Sequence, residues 1–270
     1  MKPLIGYQLY SARAEAEKDF EGTLKALKDM GYDGIEFAGF FDRKAEDVAA
    51  MLQKLGLKAA SSHVPFRAIL ADPDGVISYH KALNCQWIAV PYLEDADRPG
   101  TPGFGKVVRE ISLFGRKCHE AGIQLLYHNH DFEFVKVSGE YGLDFLYDAI
   151  EPEALQTELD TCWVKYSGEN PVDYLRKYAG RAPIVHLKDY VGVKSELPPY
   201  ALIGQAESAP KGEVPFMFKP FGFGCQDAQA VIAAAEEAGA QWVIVEQDES
   251  PERTPLESAA MSLSTVKKYV

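Results

Sequence analysis

Glu158 and Asp160 stand two residues apart in the stretch Glu158-Leu159-Asp160-Thr161-Cys162-Trp163. Leu155, Thr157 and Leu159 alternate there with Gln156, Glu158 and Asp160, so on a strand both acids leave the same face. Adjacent carboxylates repel. Such a pair is stable where a cation lies between the two or where one keeps its proton, and both situations belong to chemical sites. Asp160 also stands where it would cap the following turn. Asp160, His186 and Glu246 end three successive strand-like runs. Two hard carboxylates and an imidazole suit a divalent cation, Mn2+, Co2+, Mg2+ or Zn2+, with coordination positions left for substrate. Taken singly, His186 also reads as a core histidine bonded to backbone, and Glu246 as the salt-bridge partner of Lys188.

The elements that must position these groups follow a regular order. Apolar runs at Leu4 to Tyr10, Gly34 to Ala38, Lys58 to His63, Trp87 to Val90, Gln124 to His128, Leu155 to Asp160, Pro183 to Leu187 and Trp242 to Val245 read as strands. A helical pattern follows each. The clearest are Asp19 to Met30 before Gly31, a helix ending at Leu55 before Gly56, Phe104 to Ala121 before Gly122, and Asp227 to Ala238. Shorter helices are expected at Pro73 to Leu83 and Leu143 to Ile150. Asn170-Pro171-Val172-Asp173 and Thr254-Pro255-Leu256-Glu257 carry helix-start signals. Strand and helix alternating over about 250 residues predict an α/β fold, a (β/α)8 TIM barrel spanning 1–270 as a single domain. A doubly wound open sheet is the alternative, but no GxGxxG or GxxxxGK[ST] follows the first strand. A long loop insertion at about 189–225, rich in Pro and Gly, is expected over the C-terminal face. Within it, Phe221-Gly222-Phe223-Gly224-Cys225 reads as a flexible segment able to close over a ligand.

In such barrels the strand C-termini carry the chemistry. They bring together Gln8 and Tyr10, Glu36, His63, Tyr92, His128 with His130 and Glu133, Glu158 with Asp160, His186 with Lys188, and Glu246. Trp163 and Tyr166 offer an apolar wall for a sugar face. Lys188 is placed to neutralise an enolate or phosphate oxygen.

Charge narrows the partner. With 28 basic against 40 acidic side chains the net charge is -12, and no basic patch relieves the repulsion of nucleic-acid phosphate. A small molecule is expected, with no nucleic acid and no membrane. The four cysteines, Cys85, Cys118, Cys162 and Cys225, lack CxxC spacing and read as reduced thiols of a cytoplasmic protein. The run Met1 to Tyr7 has one basic residue and is too short for a signal h-region, and no run approaches about 18 apolar residues, so a soluble, cytosolic protein is expected.

The motifs Gly31-Tyr32-Asp33-Gly34-Ile35-Glu36, Tyr127-His128-Asn129-His130-Asp131-Phe132-Glu133, Glu158-Leu159-Asp160-Thr161, His186-Leu187-Lys188-Asp189 and Val245-Glu246-Gln247-Asp248 span nearly the whole chain. Through them the sequence resembles the xylose-isomerase-like TIM-barrel superfamily, the sugar phosphate isomerase/epimerase group that also holds ketose 3-epimerases, inosose dehydratases and the apurinic endonuclease IV enzymes. In its ketose epimerases a divalent metal is held by Glu, Asp, His and Glu from strands five to eight. The resemblance implies that Asp160, His186 and Glu246 fill the last three places. Tyr127-His128 stands where the first glutamate would be, so the fourth ligand is His128, His130, Glu158 or water. Glu133 resembles that motif's substrate-contacting glutamate. Gly222-Phe223-Gly224 replaces a frequent Gly-Glu-Gly, and Trp163 a frequent histidine; these departures leave room for dehydration or lyase chemistry.

The expected function is a divalent-metal-dependent isomerase or epimerase of a keto sugar that works by proton abstraction through an enediolate. A dehydratase or lyase on a keto sugar or inosose, and a non-catalytic carbohydrate-binding subunit, are the alternatives. The candidate catalytic residues are Glu246, His128, His130 and Glu158. Glu36, His63, Glu133, Trp163, Lys188 and Tyr10 are expected to bind the sugar. No phosphate-cradling motif is present, which favours an unphosphorylated sugar, and a homodimer is the expected assembly.

Overall fold

The computed structural model describes residues 2–193 and 216–270. Its strands are β1 (Leu4–Gln8), β2 (Gly34–Phe37), β3 (Lys58–His63), β4 (Trp87–Val90), β5 (Gln124–His128), β6 (Lys136–Val137), β7 (Glu140–Tyr141), β8 (Gln156–Asp160), β9 (Ile184–Leu187), β10 (Asp189–Val191), β11 (Met217–Lys219) and β12 (Trp242–Val245). Eight of them close a barrel in the order β1-β12-β9-β8-β5-β4-β3-β2, every neighbour parallel. Helices surround it, as the alternating pattern requires.

Strand periodicity explains both sides of the wall. Val185, Leu187, Val243 and Val245 face outward into the large core shared with the helices. Ala60, Ala89, Leu126, Ile184, Trp242 and Ile244 fill the barrel interior. Continuing each inward column by two residues replaces apolar groups with ionisable ones: Leu126 is followed by His128, Ile184 by His186 and then Lys188, Ile244 by Glu246. The interior is therefore dry at its N-terminal end and charged at its C-terminal end.

Helix ends match their local signals. Asp19 accepts from the Gly22 amide at the start of Phe20–Met30, and Gly31 ends that helix at φ 105°, a conformation glycine adopts at little cost. Thr254 and Glu257 form the capping box of Pro255–Val266. Three short helices were not legible, Arg13–Lys18, Phe66–Ala71 and Thr161–Tyr166, nor was the hairpin of β6 and β7.

The expected loop at 189–225 has structure at both ends. β10 and β11 pair as an antiparallel ribbon, while 194–215 lie outside the described residues. The glycine segment is fixed rather than free. The buried Asp189 carboxylate accepts amides from Gly222, Gly224, Cys225 and Gln226 at 2.9–3.1 Å, besides Tyr190. A Cβ at Gly224 would meet Asp189 Oδ1 at 2.3 Å and the Tyr190 carbonyl at 2.4 Å, so only glycine lets the backbone come this close. Among the described residues no helix is long and apolar enough to cross a membrane.

Candidate metal and substrate site

The deeper layer of the barrel mouth is a buried charge network. Glu158 Oε1 lies 2.5 Å from His63 Nε2, 3.3 Å from His128 Nδ1 and 3.2 Å from His186 Nε2. Glu36 Oε1 lies 2.7 Å from His186 Nε2 and 3.2 Å from His63 Nε2. Gln8 donates to Glu36 at 2.6 Å, and Ser61 donates to both acids, at 2.7 Å to Glu36 and 3.2 Å to Glu158. Glu36 and Glu158 have no exposed surface. Burial alone would raise both carboxyls, yet the His186 and His63 imidazoliums hold Glu36 well below its ordinary value and Glu158 at about 2. Burial opposes the charge on His63 in turn, but Glu36 and Glu158 push it up to about 10. His186 is raised by the same two acids. The layer is thus two carboxylates neutralised by two imidazoliums.

Ser61 owes its place to a bulge. The β2–β3 register shifts between Ile35 and Glu36, with Ile35 opposite Ala59 and Glu36 opposite Ser61. Ala60 and Ser61 therefore both turn inward, and His63 follows. Strict alternation from Ala60 selects Ser62 instead, which is why Ser61 escapes a reading of the sequence.

The upper layer holds Asp160, Glu246, Asp248, His128 and Lys188. Asp160 Oδ1 accepts the Cys162 and Trp163 amides at 2.8 and 3.1 Å, so this residue does cap the turn that follows β8. Its other oxygen, Oδ2, is buried without a hydrogen-bond partner, 3.7 Å from His128 Nε2 and 3.8 Å from Lys188 Nζ. Lys188 Nζ is nearer to Glu246 (3.1 Å) and Asp248 (2.7 Å), and His186 Nδ1 lies 2.9 Å from Glu246 Oε2. Three carboxylates thus share one ammonium. Burial, with repulsion from Glu246, raises the Asp160 carboxyl to about 7 despite Lys188, whereas Lys188 and His186 overcome burial to hold Glu246 well below its ordinary range. Ligand atoms of His128, Asp160, His186 and Glu246 lie within 4.8 Å of one another. The orphaned Asp160 oxygen and the mixed imidazole and carboxylate donors fit a divalent cation. His63, His128, Glu158 and His186 also converge within 4.8 Å, and His128 Nδ1 and His186 Nε2 are buried there without a hydrogen-bond partner, but a His63 ring charged between Glu36 and Glu158 repels a cation at that level.

A cavity of about 1050 Å3 opens from this layer. Its inner end is lined by His63, His128, His130, Lys188, Glu246 and Asp248, with Tyr10 and Tyr92 further out. Burial, reinforced by the positive charges of His186 and Lys188 respectively, holds His128 and His130 well below their ordinary value, so both are neutral imidazoles.

Of the residues expected to bind sugar, Tyr10, His63 and Lys188 line the cavity, whereas Glu36, Glu133 and Trp163 lie behind its wall. Glu133 accepts from the Tyr127 hydroxyl at 2.6 Å and from the His130 amide at 2.7 Å, and so braces the loop that presents His130. Trp163 is fully buried against Tyr166, Phe216 and Phe218, and Lys188 Nζ rests 5.2 Å from its ring. Glu158, expected among the proton-moving groups, sits below the cavity as the counter-charge of the histidines. Sequence reasoning assigns Asp248 no role, although its spacing of two from Glu246 places it in the same inward column.

Comparison with known proteins agrees with this architecture. The family model described as xylose isomerase-like TIM barrel matches residues 24–266. Among solved structures, a sugar phosphate isomerase/epimerase from Parabacteroides distasonis is 22% identical with a TM-score of 0.77, covering 98% of each chain. The IolI protein with a binding zinc atom is 18% identical with a TM-score of 0.74, covering 100% of this chain and 99% of its own. The probable 3-DHS dehydratase AsbF of Bacillus anthracis is 14% identical with a TM-score of 0.69, covering 98% of this chain and 99% of its own. No curated protein matches the sequence.

Proposed function

The chain belongs to the xylose isomerase-like TIM barrel family, and from that membership and a four-ligand seat of which His128 and Glu246 line the cavity while Asp160 and His186 lie buried behind them we propose that it is a divalent-metal-dependent isomerase or epimerase of keto sugars. The observation that carries this reading is the buried, unpartnered Oδ2 of Asp160, converging with His128, His186 and Glu246. His128 takes the place of the strand-five glutamate. Two imidazoles and two carboxylates suit Mn2+, Co2+ or Zn2+ better than Mg2+, which prefers all-oxygen surroundings. The cation would polarise the substrate carbonyl and acidify the neighbouring C–H bond.

The remaining work falls to the chain's own side chains. His130, neutral and on the cavity wall, removes the carbon-bound proton as general base. Its loop is held in place by the Glu133 contact to its amide. The Lys188 ammonium, on the same wall, balances negative charge developing on the enediolate oxygens. Returning the proton to the adjacent carbon isomerises the sugar, whereas epimerisation takes a proton on the opposite face from a second donor, a role open to the charged His63 of the same cavity, while His130 keeps the one it removed.

One observation favours a second outcome. His63 lines the same cavity and is kept protonated between Glu36 and Glu158. An acid lining the same cavity as the base His130 would protonate a departing β-oxygen, giving a dehydratase or lyase on a keto sugar. Incubating Mn2+-loaded protein with a panel of ketoses in deuterated water tests both. Deuterium entering recovered or isomerised sugar supports proton exchange, whereas formation of an unsaturated product selects elimination. No exchange and no product, with Mn2+ bound, rejects the reading in favour of a carbohydrate-binding role.

A further inference from the structure

Resting on the metal reading of the seat, we infer that Asp248 is a positioning residue: it holds the Lys188 ammonium beside the seat rather than in it, so that a divalent cation and this ammonium face one substrate together. Lys188 is the cation that the seat's carboxylates already meet. Its Nζ lies 3.1 Å from Glu246 Oε2 and 3.8 Å from Asp160 Oδ2, and both acids belong to the converging ligand group His128, Asp160, His186 and Glu246. An ammonium there competes with a metal ion for the same oxygens and repels it as a like charge. Glu246 Oε2 is contested twice, since His186 Nδ1 stands 2.9 Å from it. An imidazole nitrogen without its proton becomes a ligand, whereas an ammonium has only protons to offer. The site accommodates both cations only if a group outside the seat claims Lys188.

Asp248 is that group. Its carboxylate is 2.7 Å from Nζ, the shortest contact of the ammonium among the described residues, and it is not one of the four converging ligands. Burial opposes the charge on Lys188, and Asp248, ahead of Glu246 and Asp160, pushes its pKa up. The rings of Trp163 and Phe218 stand 5.2 and 5.1 Å from Nζ; they favour a cation but offer no oxygen to which it could withdraw. Asp248 itself is anchored from behind. Arg13 donates to its carbonyl at 2.8 Å and to that of Tyr10 at 2.9 Å. The Gln247 amide donates to Ser11 Oγ at 2.9 Å, and the Gln247 side chain to the Glu249 carbonyl at 2.8 Å. The segment after β12 is thus tied to the segment after β1, and the carboxylate is a fixed post. Lys188 and Asp248 both line the cavity, so an ammonium drawn aside still faces it.

The test titrates Mn2+ alone into full-length, chelator-treated protein by calorimetry, using wild type, Asp248→Asn, Lys188→Met and the double variant. Asparagine keeps the shape of Asp248 and removes the charge that holds Lys188. In the wild-type background Asp248→Asn should weaken Mn2+ binding about tenfold or more; in the Lys188→Met background, where no ammonium is left to fall into the seat, it should do so by less than about threefold. A smaller loss in the first background, or a larger one in the second, overturns the proposal, because Asp248 would then be idle, attract the cation directly or merely support the fold. Wild type alone gives a second reading should a variant not fold. In nitrogen-15 lysine-labelled, Zn2+-loaded protein the Lys188 ammonium resonance should persist and exchange slowly, whereas its merging with those of exposed lysines would show that the cation expels it and would overturn the proposal too. If wild type binds neither Mn2+ nor Zn2+, the metal reading fails and this proposal fails with it.

Discussion

Asp160→Asn separates two jobs held by one side chain. Oδ1 caps the helix Thr161–Tyr166 through the Cys162 and Trp163 amides, and the buried Oδ2 has no hydrogen-bond partner. Asparagine keeps the capping oxygen and ranks with aspartate as a cap, so the substitution removes the charge and little else. Burial and Glu246 raise the Asp160 carboxyl from 3.8 to about 7, a rise of about three pH units, equivalent to about 4 kcal/mol. A carboxyl raised on folding favours the native state below its unfolded value, and that advantage is lost as pH climbs through the folded value. Metal-free wild type should therefore shed about 4 kcal/mol from this group between pH 4 and 7, whereas Asp160→Asn should not. Urea unfolding of chelator-treated protein across pH 4 to 8 reads the difference: near parity at the acid end, and the variant more stable by a few kcal/mol at pH 8. The same variant should bind Mn2+ at least 100-fold more weakly by calorimetric titration. A variant less stable than wild type at pH 8, or one retaining wild-type Mn2+ affinity, would refute the assignment of Oδ2 as a cation ligand.

Other consequences follow from the same geometry. Glu158→Ala leaves the His63 imidazolium facing Glu36 alone, with His186 still between Glu36 and Glu246, and should cost about 3–5 kcal/mol in chemical denaturation, as when one member of a buried ion pair is removed. His63, raised to about 10, contributes stability that is complete below its unfolded value near 6.5 and lost as pH rises through 10; long-range nitrogen–proton NMR should find its ring doubly protonated at pH 8 and those of His128 and His130 singly protonated. Lys188→Met removes the ammonium that shares Glu246 with the cation, so Mn2+ affinity should increase about tenfold or more while turnover is lost. Asp189→Ala deprives the amides of Gly222, Gly224, Cys225 and Gln226 of their acceptor; hydrogen exchange there should accelerate by orders of magnitude, and unchanged protection would show that the loop is held by something else.

The parts of the fold legible in the sequence are those fixed by local rules. The spans Lys58–His63, Trp87–Val90 and Gln124–His128 emerged residue for residue, because each is bracketed by Gly or Asn shortly before it and Pro or Asn shortly after it. Helix stops at Gly31, Gly56 and Gly122 were equally plain, since each glycine adopts positive φ. What escaped depends on partners distant in the chain. The bulge that turns Ser61 inward exists only against β2. The segment Gly222 to Gly224 reads as free until Asp189, more than thirty residues earlier, is seen holding its amides. Glu133 and Trp163 were expected at the sugar because their types suit it, and only three-dimensional packing puts them one layer behind.

The pair that opened the sequence reading shows how depth assigns role. Glu158 and Asp160 leave β8 on one face, but two residues along a strand are about 6.6 Å, roughly one layer of side chains. Opposite Glu158 stands His128, and opposite Asp160 stands His186. The lower acid meets only histidines and Ser61, with no route to the cavity, so its charge is fully used in keeping His63 and His186 protonated. Oδ2 of the upper acid meets a single distant ammonium and neutral His128. His186 joins the layers, with one nitrogen toward Glu36 and Glu158 and the other toward Glu246. His186 would offer Nδ1 to a cation with Nε2 2.7 Å from Glu36 behind it, and a carboxylate behind a metal-binding imidazole favours that tautomer and raises its basicity. On this argument Glu36→Gln, which touches neither cavity nor cation, should still weaken Mn2+ binding by about 10–100-fold, and unchanged affinity in that variant would separate the two layers.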